Sequence, residues 1–465
     1  MFFKNIRNGD NADVEEGKTS QHSVTPASVE IPDGGYGWVV VFANFLLFIS
    51  TWGSNTSYAI YLADYLRNDT FSGATKLDYG AIGGLTFGAG VLFAHLINFL
   101  IGKFGFKQVM FVGMLVQFAG VFIASYATKL WHLYLTQGVL QGFGLALLFM
   151  PGFTIIPQWF KRKRVLALGL VSSGSGSGLL FNLGMQKVLE RFGYKWALRT
   201  QSFICLFLNI IVLILMKSRS KHIKPSYKIY DKVIFQSFGM WMAALYQFLA
   251  ILGYIAILYC LSSFTQSLGY TPFQGSLVSS MVSLGAFFGR PLFGFLGDKF
   301  GPVHMGIISS MLSALFSLAL WIPARNLAAA VAFALVAGAI CGTIWVIFGA
   351  LAVRVVGMQR FQMGLALGLV VLSTGSITGP VITISLTTGG AANPKQYQHP
   401  AIFVGVCYFV SGIVLIVLRA WLIARDEIAL SDGDYLKEGE MDIHISVPPS
   451  KVIANLMRIK GPRKT

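Results

Sequence analysis

The sequence predicts an all-α membrane protein with twelve transmembrane helices in two pseudo-repeated six-helix bundles, and three observations predict it. The first is composition. Mean hydropathy is +0.65, with 55% hydrophobic and only 12% charged residues, whereas about a quarter of a soluble domain is charged. The second is the recurrence of apolar segments near the roughly 20 residues that a helix needs to cross a hydrocarbon core of about 30 Å. The third is repetition between the halves of the chain. Lys103-Phe104-Gly105 returns as Lys299-Phe300-Gly301, Gly138 and Gly142 as Gly338 and Gly342, and Leu166-Ala167-Leu168-Gly169-Leu170 as Leu365-Ala366-Leu367-Gly368-Leu369, at offsets of 196, 200 and 199. Leu, Ala and Gly are common in membrane helices, but three matches in order at nearly one offset argue for duplication.

The predicted spans run 37–62, 80–101, 108–126, 132–156, 165–188 and 198–216 in the first half, then 238–264, 275–296, 304–321, 327–353, 363–387 and 401–424 in the second. The first follows a polar segment with no apolar core, so it must itself serve as the insertion signal. The second carries Gly80, Gly84 and Gly88 on one face, and the eighth carries Gly285 and Gly289, where small residues let helices approach and slide. The fifth starts after four basic residues, Lys161 to Arg164, which fix a cytoplasmic helix start. Ala167, Gly169, Ser172, Ser173, Gly174, Gly176 and Gly178 follow, suited to tight, movable packing. Gly174-Ser175-Gly176-Ser177-Gly178 lies within a span and lacks the Lys-Ser/Thr of a phosphate loop, so direct use of ATP is not expected. Domain limits follow: a disordered tail over 1–36, bundles over 37–216 and 238–424, a basic linker over 217–237 and a C-terminal tail over 425–465.

Basic residues in short loops set orientation. With the N-terminus inside, inner loops hold fifteen Lys and Arg and outer loops eight, which places both termini in the cytoplasm. The net charge of +17 then reads as topology plus attraction to anionic lipids of the bilayer, and no nucleic-acid partner is expected. Span length favours the plasma membrane over the vacuole. Cys205, Cys260, Cys341 and Cys407 all fall inside spans without metal-site spacing, so neither a disulfide framework nor a metal is expected, and no cofactor is implied. Asn68-Asp69-Thr70 is a glycosylation sequon in a short loop close to the membrane.

At the entry to the first span, Asp33-Gly34-Gly35-Tyr36-Gly37-Trp38 resembles the opening signature of the monocarboxylate transporter family of the major facilitator superfamily. The stretch from Trp159-Phe160-Lys161-Arg162-Lys163-Arg164 to Val171-Ser172-Ser173-Gly174 resembles its second signature, and Gly289-Arg290-Pro291 and Gly379-Pro380 are similar to the family as well. The likeness covers Asp33 to about Ala424 and is nearest to a fungal monocarboxylate-permease-like branch. It implies alternating access to a midplane site between parallel-repeated halves. It also implies a small organic anion as substrate, and in the wider family an accessory single-span protein occurs.

Arg290 is the leading site candidate. An arginine inside a span costs a few kcal/mol unless it faces a wet cavity or a partner, and its planar fork matches a carboxylate. The resemblance implies that it holds the substrate carboxylate. The competing reading is a structural charge reaching toward the cytoplasmic surface near Asp298. Proton-linked members carry a lysine in the first helix and an aspartate four residues before the arginine, but Thr56 and Ala286 stand there, so proton coupling is in doubt. His95, a lone polar residue near the inner end of the second span, reads as hydrogen-bonded packing. Trp52 aligns with an aromatic, substrate-facing residue of the family. Asn55, Thr56, Asn182, Tyr254 and Trp345 complete the candidate substrate site, since amides in spans need partners and rings offer stacking surfaces. Asp298, Lys299, Lys103 and Arg164 are the candidate conformational gate, with Gly102 standing where the first half would carry an acid.

A small monocarboxylate and a larger heteroaromatic metabolite such as a vitamin are both compatible with these residues. A transporter-like receptor would be expected to carry a long cytoplasmic extension, but the predicted tails have 36 and 41 residues. An intramembrane enzyme would need convergent acids or histidines in the spans, which the sequence lacks.

Overall fold

A computed structural model describes residues 31–223, 225, 227, 230–387, 394–431, 446–458 and 461. Most of the predicted N-terminal tail lies outside the described residues, as does much of the C-terminal one. Among the described residues the chain is helical, without strands. Nine stretches are long and apolar enough to cross a membrane, and the pair Asp78–Leu92 and Ala94–Phe104, bent by 47°, makes a tenth. Two of the nine are too long for one crossing. Arg164–Leu215 has 52 residues and Leu327–Leu386 has 60, about 80 and 90 Å of helix at roughly 1.5 Å per residue. Each breaks at a glycine with a left-handed backbone, Gly193 (φ 77°) and Gly357 (φ 75°), a conformation strained for residues with a Cβ. The twelve predicted helices are thereby accounted for.

They are α1 (Gly37–Arg67), α2 (Lys76–Leu92 and Ala94–Phe104), α3 (Phe106–Ala124), α4 (Leu130–Gln158), α5 (164–192) and α6 (194–215) in the first half. The second half holds α7 (Phe238–Ser267), α8 (Pro272–Phe300), α9 (Pro302–Trp321), α10 (327–356), α11 (358–386) and α12 (Gln398–Ser431). Across the halves, α5 packs on α8 and α2 on α11.

Several helices outrun their predicted spans. α1 ends at Arg67 rather than 62, and α12 at Ser431 rather than 424. An apolar window measures only the hydrocarbon layer, whereas a helix continues wherever its backbone bonds are made. In α12 the extension is held by buried polar contacts: Arg425 Nη1 donates to the Val355 carbonyl at 3.0 Å, and Asp426 pairs with Arg354. The C-terminal tail also makes contacts with the helices. Its described stretch holds a short helix, Pro449–Ala454, beyond which Leu456 accepts a 3.0 Å hydrogen bond from Arg419 and Arg458 pairs with Glu427.

Inside the first half, α1 widens to a π-helical turn over Ile49–Gly53. Such a turn disturbs the usual ladder, so carbonyls there need outside donors. Gln117 of α3 donates to the Ser50 carbonyl at 2.7 Å, Ser50 Oγ to Asn209 Oδ1 at 2.6 Å, and Asn209 of α6 to Gln117 Oε1 at 2.9 Å. This closed triangle ties α1, α3 and α6 together at the turn that carries Trp52. Of the expected glycine face on α2, only Gly88 packs closely, against Ile377 of α11; Gly80 and Gly84 face open space.

Candidate functional site

The two signature segments fold onto one another. Asp33 Oδ1 accepts from the backbone N–H of Lys161 and Arg162 at 2.5 and 2.7 Å, while Asp33 N–H donates to the Trp159 carbonyl at 3.0 Å. Trp38 meets Phe160 edge-on at 4.9 Å, and Tyr36 OH donates to the Leu215 carbonyl at 2.9 Å. The loop before α1 therefore clasps the turn before α5 and the end of α6. Asp33→Ala leaves two donors without their carboxylate and is expected to lower stability by about 1–2 kcal/mol. A thermal-unfolding scan in detergent checks this, and an unchanged midpoint would show that the clasp carries no stability.

Arg290 sits on α8 between the halves and is 3% exposed. Its Nη1 donates to the Ser172 carbonyl at 2.6 Å and to Ser175 Oγ, both on α5, and its Nη2 faces Tyr254 OH of α7 at 3.4 Å. Its Nε has no partner. Gly342 of α10 makes room for the guanidinium: a Cβ there would lie 3.0 Å from Nη2. Among the described residues no carboxylate lies within ion-pair distance of Arg290. Ala286, one turn earlier, is buried and supplies no acid. A buried cation held by neutral oxygens alone keeps an unmet demand for negative charge.

Four rings drawn from both halves form a cluster. Trp52 of α1 stands 5.0 Å from Phe87, 5.5 Å from Phe149 and 6.0 Å from Trp345, and Trp345 is 6.3 Å from Phe87. A Cβ at Gly53, next to Trp52, would touch Ser177 Oγ and the Gly174 carbonyl, and Trp345 follows Gly342 by three residues. The structure thus joins Arg290 to Tyr254 and Trp52 to Trp345. The polar candidates of α1 and α5 pair among themselves. Asn182 Oδ1 accepts from Thr56 and Ser57 hydroxyls at 3.1 Å each, and Asn55 Oδ1 accepts from Gln141 at 3.4 Å. They tie α1 to α5 and α4.

The gate candidates divide. Asp298 of α8 reaches across the halves and accepts from the N–H of Val165 and Leu166 at 2.8 and 2.9 Å, so it caps the first turn of α5, where the helix dipole favours a carboxylate. Arg164 turns its Nε to the Phe160 carbonyl at 3.0 Å and its Nη2 toward Met358 Sδ of the second half. Lys103 and Lys299 instead lie over the rings of their own neighbours, Phe104 and Phe300, at 5.3 and 5.5 Å.

Sequence reasoning missed Ser172 and Ser175 as partners of Arg290, taking them only as small packing residues, and it missed Phe87 and Phe149. The hydroxyl run in α5 was the available signal. Nothing in the sequence separates those two phenylalanines from the other 36.

Residues 40–229 and 243–438 match the Major Facilitator Superfamily. The chain is 42% identical over 450 residues to a Saccharomyces cerevisiae protein named "Probable transporter MCH2", covering 96% of this chain and 94% of that protein. It is 33% identical to "Uncharacterized transporter ESBP6" of the same yeast, covering 84% of this chain but only 60% of that protein's length. Among solved structures, a crystal structure of the E. coli fucose:proton symporter FucP is similar with a TM-score of 0.60 at 15% identity, covering 83% of this chain and 99% of that one. At that identity the likeness concerns the fold alone. Twelve apolar helices, a repeated architecture and these relatives lead to one conclusion: the chain is a multi-pass membrane transporter that belongs to the major facilitator superfamily.

Proposed function

We propose that this transporter moves a small organic anion of the monocarboxylate class by alternating access, with the substrate carboxylate as the missing counter-ion of Arg290. The observation that carries this reading is the buried guanidinium at the seam between the halves, bonded to neutral oxygens and, among the described residues, facing no acid. A planar carboxylate completes its hydrogen bonds and its charge together. The same absence of an acid argues for flux that follows the anion's own gradient, since Thr56 and Ala286 offer no group that binds and releases a proton. The bundles 37–216 and 238–424 rock about this site. Both termini are placed in the cytoplasm on the excess of inner basic residues, with the plasma membrane as the preferred location.

Uptake of labelled carboxylates and vitamins into proteoliposomes, at equal and at unequal pH across the membrane, tests the reading. Saturable uptake of a carboxylate that a pH gradient does not change is the expected result; accumulation driven by the gradient would overturn the uncoupled mechanism.

The four-ring cluster favours a second reading, in which the carboxylate belongs to a larger heteroaromatic metabolite such as a vitamin. Under it, Trp345→Ala is expected to lower affinity for a ring-bearing substrate by about tenfold through loss of roughly 1–1.5 kcal/mol of stacking, while uptake of a short aliphatic monocarboxylate changes little. Equal losses for both substrates in side-by-side uptake assays would remove the rings from substrate selection.

A further inference from the structure

The latch at Asp298 has a twin position without an acid. Gly102 lies 196 residues before Asp298, the offset that also relates Lys103 to Lys299. It stands at the end of α2, the helix that packs on α11 as α8 packs on α5. Tyr227, from the segment that joins the two halves, is seated on it. A Cβ at Gly102 would lie 2.4 Å from Tyr227 Cβ and 2.8 Å from its Cγ, so a side chain at 102 and the tyrosine cannot share the place. The half-buried tyrosine packs against the main core, and its hydroxyl lies near the side chains of Ser220 and of Gln362 in the first turns of α11.

Two described residues further along, Asp231 and Phe235, follow the same seam. Asp231 pairs with Arg360 of α11 at 3.3 Å, and the Phe235 ring lies 6.3 Å from that of His95 on α2. Between them Asn98 of α2 donates to Met363 Sδ of α11 at 3.2 Å. One strip of chain therefore contacts α2 on one side and α11 on the other, at the end where Asp298 holds α8 to α5.

We propose that the segment joining the halves is itself the second latch: Tyr227, seated on Gly102, ties the end of α2 to the start of α11 while that end is closed, in place of a carboxylate. Tyr227 leaves Gly102 when α2 and α11 part. The glycine is then a requirement of the latch, because only a residue without a Cβ admits the ring.

The test uses the full-length protein in proteoliposomes, with Cys205, Cys260, Cys341 and Cys407 replaced by alanine and Asn98→Cys as reporter on the seam. The readout is the alkylation rate by a hydrophilic maleimide supplied on the side of the Arg164 end. Tyr227→Ala and Gly102→Ala are each expected to raise the rate about tenfold by removing one half-buried ring contact, and the double variant no further than either alone. Tyr227→Phe adds no atom and keeps the ring seated, so it serves where Gly102→Ala fails to fold, and it is expected to raise the rate less than Tyr227→Ala. Rates within about twofold of the parent in both alanine variants, or effects of the two that multiply as independent sites do, overturn the proposal.

Discussion

Arg290→Ala is expected to abolish carboxylate transport while leaving the protein as stable as before, or more so. The guanidinium is buried between the halves and bonded to Ser172, Ser175 and Tyr254, none of which carries negative charge. Its removal relieves the desolvation of an unpaired cation, which in proteins offsets or exceeds the loss of hydrogen bonds to neutral groups. On the proposed reading the substrate carboxylate, by contrast, loses a charged partner. Truncating one member of a buried charge pair costs about 2–5 kcal/mol, or roughly 30-fold to several thousand-fold in affinity. Arg290→Lys keeps the charge without the fork and should recover part of the uptake. Concentration-dependent uptake together with thermal unfolding of the same preparations decides it. Transport near the parental level in Arg290→Ala would mean that the arginine only holds α8 to α5, and a collapsed unfolding midpoint would give it a structural role.

Asp298→Ala should produce the second large effect, on the balance between conformations rather than on substrate contact. The carboxylate caps α5 across the interface, accepting from Val165 and Leu166 at the positive end of the helix. These two bonds cross from α8 to α5, so their loss acts on the contact between the halves at that end. A charged cap of this kind contributes about 1–2 kcal/mol, which shifts a two-state population by roughly five- to thirtyfold. Asp298→Asn keeps an acceptor without the charge and should fall between parent and alanine. The measurement is alkylation of Val165→Cys, a buried position that packs against Gly297 of α8. A rate unchanged in Asp298→Ala would show that α5 and α8 are held closed by packing alone.

Much of this architecture was legible before any coordinates, for definite reasons. Apolar runs near twenty residues must become helices in a bilayer, since no other arrangement satisfies the backbone of a single segment there. Repeated motifs at a nearly constant offset mark two bundles, and an arginine inside a span marks a helix face that must meet polar partners. Helix ends were less legible. α12 reaches Ser431 because Arg425 and Asp426 are satisfied by the carbonyl of Val355 and by Arg354, residues about 70 positions away. No window over the local sequence contains those partners. The gate shows the same division. Asp298 was identifiable as an acid at the end of α8, but its acceptance from α5 backbone N–H groups, and the placement of Lys103 and Lys299 over adjacent rings, depend on how the halves meet.

By itself, the sequence determined the class of protein, the number of helices, the repetition of motifs and the presence of Arg290 inside a span, because each follows from chemistry local to one segment: hydropathy, length, repetition and the cost of charge in lipid. Only the tertiary structure decided what surrounds Arg290, which rings gather around Trp52, that the signature loop before α1 clasps the start of α5, and that Tyr227 fills the place left by Gly102. Those facts are contacts between residues far apart in the chain. They are set by the shape complementarity of packed helices, which the local sequence constrains but does not specify.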